Sequence, residues 1–338
     1  MIKVKILNPT KSWNEPTFRP LTFVRDMLYY DCSIELTTSD DFDFLFIGRE
    51  DFLNKKISLQ KSIDYGLENL SKITGDYFLF DGSDSTSLMG AYEVFEQSDA
   101  TYLFKNQLLS REEYKKPTAF NKWFFGTGTD LDLGYDISKD KWSRIKLSGY
   151  NLGYLLPQYK NFQPINKNKN IDVCAIYQAE HKYNEDHKVR NDLHYTNHRK
   201  SCWDILDSKF NSRKDRLPYQ EYIQTLYDSK ILISPFGMGE VCFRDFECMQ
   251  FGTIMLKPSM EEIDTIPNIY LENDTYIPVN YDWSDLNEKI EYVLDNFDSL
   301  NEMINLNIRQ KFLKDYTYEN LCLYWYDIFK NLNDVKTD

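Results

Sequence analysis

Positive charge is what this 338-residue chain is short of: 40 Lys and Arg stand against 53 Asp and Glu, a formal net charge of −13. No surplus of cations is left to neutralise a phosphate backbone, so the composition predicts no nucleic-acid partner and no broad binding to anionic membrane. Histidine is scarce as well, with four residues, all between His181 and His198. The six cysteines (Cys32, Cys174, Cys202, Cys242, Cys248 and Cys322) never fall at CxxC spacing. That excludes a zinc knuckle or a disulfide framework and predicts buried free thiols. No apolar run approaches the roughly 20 residues that cross a bilayer, so no transmembrane segment is expected. The opening MIKVKIL alternates like a strand rather than forming a secretory signal. A cytoplasmic protein is expected.

What the chain has is core. Apolar residues make up 42%, with 22 Phe and 25 Tyr, and the length suits two α/β domains of ordinary size. Short apolar runs at 4–7, 44–47, 77–80 and 101–104 read as buried strands, with helical stretches at 19–30, 59–73 and 85–97 between them. This alternation predicts a parallel sheet covered by helices. A less regular stretch, 115–163, leads to Pro157, Pro164 and the run NKNKN at 166–170, which reads as a linker. The pattern then restarts: strand 171–177, helices 197–207 and 219–228, strand 230–234, and helices 283–296, 300–312 and 318–331. The expected organisation is a first domain over 1–165, a second over 166–315, and a terminal helix in 316–338 that braces the first.

The most informative segment is KILISPFGMGEVCFRDFECMQFGTIMLKPSM, residues 230–260. A buried strand runs into a loop bearing Pro235, Gly237 and Gly239. A helix is expected from near Glu240 to Gly252, followed by a second strand. A glycine loop between a strand end and a helix start offers backbone N–H groups and a positive dipole end to a diphosphate. Arg244, one turn in, can reach the same anion. Glu247, three residues later and on the same face, can accept two hydrogen bonds from a ribose diol. The alternative is a plain strand–turn–helix whose Gly and Pro merely shape the turn.

These residues resemble the donor-binding motif of GT-B glycosyltransferases of the exostosin-like kind, in which an Arg precedes a Glu by three residues and a Gly closes the helix. The resemblance covers about residues 218–285 and matches Arg244, Glu247 and Gly252. It implies a GT-B fold, two Rossmann-like domains facing a cleft, and transfer of a sugar from a nucleoside-diphosphate donor to an acceptor hydroxyl, with a glycan as the expected acceptor. Retaining members place two glutamates eight apart. Here Glu240 and Glu247 are seven apart and Gly239 holds the first place, which points to inversion.

Two further clusters stay open between readings. The histidine window, with His194 and His198 four apart, is a polar loop, a metal site, or a loop whose Arg190 and Arg199 help hold the diphosphate. Asp81 and Asp84 follow a strand in the run YFLFDGSDS. They are either a turn residue and a cap for a helix at Thr86, or they include the general base that takes the acceptor's proton. Trp13, Trp123, Phe124 and Phe125 read as core or as sugar platforms, and Lys105 as a solvated lysine or a cleft cation. No metal ligand set is complete and no cofactor is expected beyond the donor itself. Gly237, Gly239, Glu240, Arg244, Glu247, Arg190 and Arg199 are therefore the expected donor contacts. The rivals are a nucleotide-sugar epimerase or hydrolase of the same fold and a non-catalytic nucleotide-sugar or glycan binder.

Overall fold

The computed structural model describes residues 1–7, 18–54, 56–116, 134–149, 161–178, 193–214, 217–237, 239–315 and 317–337. They fall into two units, one of Met1–Leu156, Ile263–Pro267 and Asp315–Asp338, the other of Pro157–Glu262 and Asn268–Lys314. In chain order the first stretch holds β1 (Ile2–Ile6), α1 (Arg19–Thr22), α2 (Arg25–Cys32), β2 (Ile34–Thr37), β3 (Phe44–Gly48), α3 (Arg49–Phe52) and α4 (Leu59–Leu70). It continues with β4 (Tyr77–Asp81), α5 (Ala91–Gln97), β5 (Tyr102–Lys105), β6 (Gln107–Leu109), α6 (Lys139–Ser143) and β7 (Ile145–Leu147). Beyond it lie β8 (Ile171–Cys174), α7 (Leu193–Ile205), β9 (Ser212–Arg213), α8 (Tyr219–Asp228), β10 (Ser229–Ile233) and α9 (Phe243–Phe251). Next come β11 (Ile254–Pro258), β12 (Ile263–Thr265), β13 (Ile277–Val279), α10 (Leu286–Asp295), α11 (Phe297–Asp315) and α12 (Tyr318–Thr337).

The first unit is built on a parallel sheet of order β2-β1-β3-β4-β5-β7. Strands β3 and β4 are buried at every position, as expected for strands covered on both faces. Because successive side chains point to opposite faces, Leu45, Ile47, Leu79 and Leu103 enter one core, with Ile63 of α4 and Phe95 of α5. Phe44, Phe46, Phe78, Phe80 and Phe104 enter the other, where Trp325 and Phe329 of α12 cover them. Trp325 satisfies its indole N–H on the Pro20 carbonyl at 3.1 Å. Residues 263–265, assigned to the second domain from the sequence, instead form β12, which pairs antiparallel with β6 inside this unit. A three-residue strand separated from its partner by this much chain leaves no local pattern to read.

The second unit carries a parallel sheet of order β13-β11-β10-β8-β9. Each unit thus begins with a strand flanked by its successor on one side and the third strand on the other, the doubly wound Rossmann-like arrangement, so the α/β expectation holds in both. In such sheets the chain reverses direction beside the first strand, and the loops that leave the strand ends there open a crevice. For the second unit those are the loops after β8 and β10.

Three helix expectations change. The segment 19–30 divides into α1 and α2. The helix expected from residue 85 starts at Ala91, because Ser85 and Ser87 side chains bind the amides of Ser87 and Met89 and hold this stretch in turns. The helix expected from Glu240 starts at Phe243, where Asp245 supplies the cap. All six cysteines are free thiols, and Cys32 and Cys322 lie 3.8 Å apart at sulfur. Among the described residues no helix is long and apolar enough to cross a membrane.

Candidate functional site

Strand β10 delivers the chain to the crevice at Ser234, and the loop 234–242 turns it into α9. A buried carboxylate organises this turn. Asp245, on the first turn of α9, accepts from the Cys242 amide at 3.0 Å, from Ser234 Oγ at 2.5 Å and from the Tyr270 hydroxyl at 2.7 Å. Lys257 Nζ, on β11, neutralises it at 3.1 Å, and neither side chain is exposed. One residue thereby caps the helix, ties it to the end of β10 and anchors it on the neighbouring strand. Nothing in its place in the sequence, next to Arg244, singles it out for this role. The helix ends at Gly252, whose φ of 63° is the left-handed conformation that glycine adopts without cost, as the sequence anticipated.

Arg244 and Glu247 both project from α9, half-buried. Arg244 Nη2 donates to the Pro235 carbonyl at 2.6 Å, and its guanidinium lies over the Tyr177 ring at 5.7 Å. Its Nε is buried with no hydrogen-bond partner among the described residues. Glu247 accepts from the Tyr222 hydroxyl of α8 at 2.7 Å. Burial pushes the Glu247 carboxyl above its ordinary pKa, against the opposing pull of the Tyr222 hydrogen bond and the Arg244 charge.

The loop itself differs from a row of free amides. The Gly237 N–H donates to the Gly239 carbonyl at 2.9 Å, so it closes the loop instead of facing outward. Gly239 and Glu240 are both buried. Arg199, expected on the diphosphate, binds two backbone carbonyls: Nε to Phe236 at 2.9 Å and Nη1 to Gln178 at 2.7 Å. It is a strut that ties the loop after β8 to the loop after β10. Its Nη2 passes so close to Gly237 that a Cβ there would sit 2.6 Å from it, which explains the glycine. Arg190 lies outside the described residues, as do His181, His187, Trp13, Trp123, Phe124 and Phe125.

His198 is not arranged as a metal ligand. Its buried ring stacks on Tyr281 at 4.5 Å and on Trp283 at 4.7 Å, and the Trp283 indole donates to the His198 carbonyl at 2.9 Å. Among the described residues no three His, Cys, Asp or Glu side chains converge on a point.

In the first unit, Asp81 closes β4 in a buried charge cluster. Its Oδ2 lies 2.5 Å from Arg49 Nη1 and 3.0 Å from Lys105 Nζ. Lys105 also donates to Ser83 Oγ and the Ser87 carbonyl, each at 2.8 Å. Burial would raise the Asp81 pKa, but the charges and hydrogen bonds of Arg49 and Lys105 outweigh it and hold the carboxyl well below the usual range. A group with no exposure cannot touch an acceptor, which argues against Asp81 as the base, whereas Asp84 is exposed. Lys105 is likewise neither solvated nor a surface cation.

The chain resembles several solved glycosyltransferases. With an α-glucosyltransferase in complex with UDP and a 13-mer DNA containing a HMU base it shares 11% identity, 100% of each chain and a TM-score of 0.46. With Anabaena Alr3699/HepE in complex with UDP-glucose the values are 11% identity, 98% of this chain, 100% of that chain and 0.45. With sucrose-phosphate synthase from Thermosynechococcus elongatus they are 11%, 93%, 78% and 0.47. No family model and no curated protein matches the chain in sequence. The exclusion of nucleic-acid partners is corrected here: the α-glucosyltransferase is solved with DNA, in one complex carrying an abasic site and in another a HMU base. Net charge sums over the whole surface, whereas an acceptor meets only the groups at its own site.

Proposed function

We propose that the chain is a glycosyltransferase that moves a sugar from a nucleoside-diphosphate donor to an acceptor hydroxyl. The observation that carries this reading is the strand–loop–helix at the switch point of the second unit, where a glycine loop bound to Arg244 and Arg199 leads into α9 and its half-buried Glu247. Glu247 holds the ribose hydroxyls, and Arg244 supports the diphosphate, where charge accumulates as the glycosidic bond breaks. Arg199 keeps the loop in shape.

The acceptor is a saccharide hydroxyl, in keeping with the exostosin-like motif. Its oxygen forms the new bond to the anomeric carbon as the bond to the diphosphate oxygen breaks. Asp84 takes the hydroxyl proton, and the configuration inverts, in line with Gly239 standing where retaining enzymes place a glutamate. Cationic side chains carry the leaving-group charge, so turnover is expected to persist in excess chelator.

The test is incubation with a panel of nucleotide sugars, beginning with UDP-glucose, and measurement of released nucleoside diphosphate. Acceptor-dependent release with an oligosaccharide supports the reading. Acceptor arms containing DNA with hydroxymethylated bases identify a nucleic-acid acceptor instead. Release that ignores every acceptor indicates a hydrolase or epimerase, and tight donor binding without release indicates a binding protein.

A further inference from the structure

We infer that Tyr222 is a positioning residue for the nucleotide: its phenol fixes the Glu247 carboxylate so that the acceptor positions left over select a ribose against a 2′-deoxyribose. This rests on the donor-site reading of Glu247 and deepens it.

Three observations carry the inference. First, Tyr222 stands in the first half of α8 and its hydroxyl donates to Glu247 Oε2 at 2.7 Å, across to a different helix. A carboxylate offers about four acceptor positions on its two oxygens, and the phenol takes one of them. The two ribose hydroxyls are then confined to Oε1 and the remaining side of Oε2. Second, the phenol is a dependable donor. Burial, and then the Glu247 charge, raise its pKa far above the ordinary value, so it stays protonated wherever the carboxylate is ionised. Third, glutamate has a long, freely rotating side chain that loses entropy when a ligand fixes it. A neighbour that holds it beforehand lowers the cost of binding.

The groups around this carboxylate make the effect measurable. Tyr222 and the exposed Tyr219 face it from α8, Arg244 and Asp245 from α9, and Cys174 from β8. Burial pushes the Cys174 thiol up to about 12, so it stays neutral at working pH. Of the groups that lower the Glu247 pKa, Tyr222 and Arg244 act by hydrogen bond and by charge respectively. Removing the phenol oxygen therefore raises the Glu247 pKa, and the acid side of a binding profile moves to higher pH.

The experiment titrates UDP, ADP and GDP, each with its 2′-deoxy counterpart, into the full chain and into Tyr222→Phe, Glu247→Gln and Glu247→Ala between about pH 4 and 8, where unperturbed carboxylates begin to titrate and burial can carry them upward. Melting temperatures establish that each variant is folded. For Tyr222→Phe we expect affinity to fall about 2- to 10-fold, the worth of one net hydrogen bond. The ribose preference should shrink, and the acid limb should shift upward. Glu247→Gln keeps an acceptor for the phenol but cannot ionise, so its acid limb should shrink to the part set by the ligand's own terminal phosphate, which titrates at about pH 6. Should Tyr222→Phe misfold, Glu247→Gln still decides, because an unchanged acid limb there disproves control by this carboxylate. If Tyr222→Phe retains both the preference and the profile while Glu247→Ala loses affinity, the positioning role is wrong and the donor site stands. If the parent binds no nucleotide, or Glu247→Ala binds as the parent does, the donor-site reading itself fails.

Discussion

Lys105 Nζ lies 3.0 Å from Asp81 Oδ2, with Arg49 Nη1 at 2.5 Å from the same oxygen and all three side chains closed to solvent. The three residues follow or end adjacent parallel strands, β3, β4 and β5, so the cluster ties together the carboxyl ends of three neighbouring interior strands of the first unit's sheet. Replacing the carboxylate strands two cations that are closed to solvent. Asp81→Asn is expected to cost about 3–5 kcal/mol of stability, the usual penalty for breaking a buried pair. Urea unfolding of parent and variant measures it, and a loss below about 1 kcal/mol would contradict the assigned role.

The same residue sets a pH dependence. Its folded-state pKa lies below the unfolded value of about 3.9. The stability it contributes is therefore complete above about pH 4 and drains as pH falls through the folded pKa. Melting temperature followed downward from pH 5 should drop in the parent more steeply than in Asp81→Asn.

Glu247→Ala should weaken nucleoside diphosphate binding by roughly 10- to 150-fold, the worth of charge-assisted hydrogen bonds. The loss should be alike for different sugars on one nucleotide, since the ribose is common to them. Arg244→Ala should lower turnover as well as affinity. It removes the charge proposed to support the diphosphate and also releases the Pro235 carbonyl. Calorimetric titration and single-turnover assays separate the two variants.

At Gly237 and Gly252 of the candidate donor segment, alanine should act differently. Gly252→Ala forces a side chain into φ 63°, 3.1 Å from Asn305 Oδ1, and should cost stability of about 1–2 kcal/mol. Gly237→Ala instead pushes on Arg199 Nη2 at 2.6 Å, so overpacking of about 1–3 kcal/mol falls on the loop. Nucleotide affinity should suffer in the second variant and stay close to the parent's in the first.

Asp84→Asn tests the base. Turnover should fall about 10²- to 10⁴-fold with donor affinity nearly unchanged. Near-full activity would move the search for the base to another residue.

Much of the donor segment could be read directly. Gly252 announces the helix end because only glycine adopts its backbone angle cheaply, and the apolar runs of β10 and β11 announce buried parallel strands. Arg244 and Glu247 share a face because helical geometry places residues three apart together. The partners of these side chains were another matter. Tyr222 lies 25 positions from Glu247, and nothing in the spacing of α8 distinguishes it from Tyr219, which stays exposed. Arg199 looked like an anion ligand because an arginine near a ligand loop has the right charge. Its donors go instead to the Phe236 and Gln178 carbonyls, 37 and 21 positions away, which no local spacing reveals.

Strand β12 and the Asp81 cluster follow the same rule. Local residue type and periodicity determined the α/β class, the strand and helix identities within each half and the loop–helix candidate site, since those depend on interactions a few residues apart. Whether a carboxylate would be a base or a buried ion partner depended on residues 24 and 32 positions away. Only the tertiary structure decided that, because burial and charge pairing belong to neighbours in space, and the chain order of a parallel sheet separates those neighbours by a whole helix.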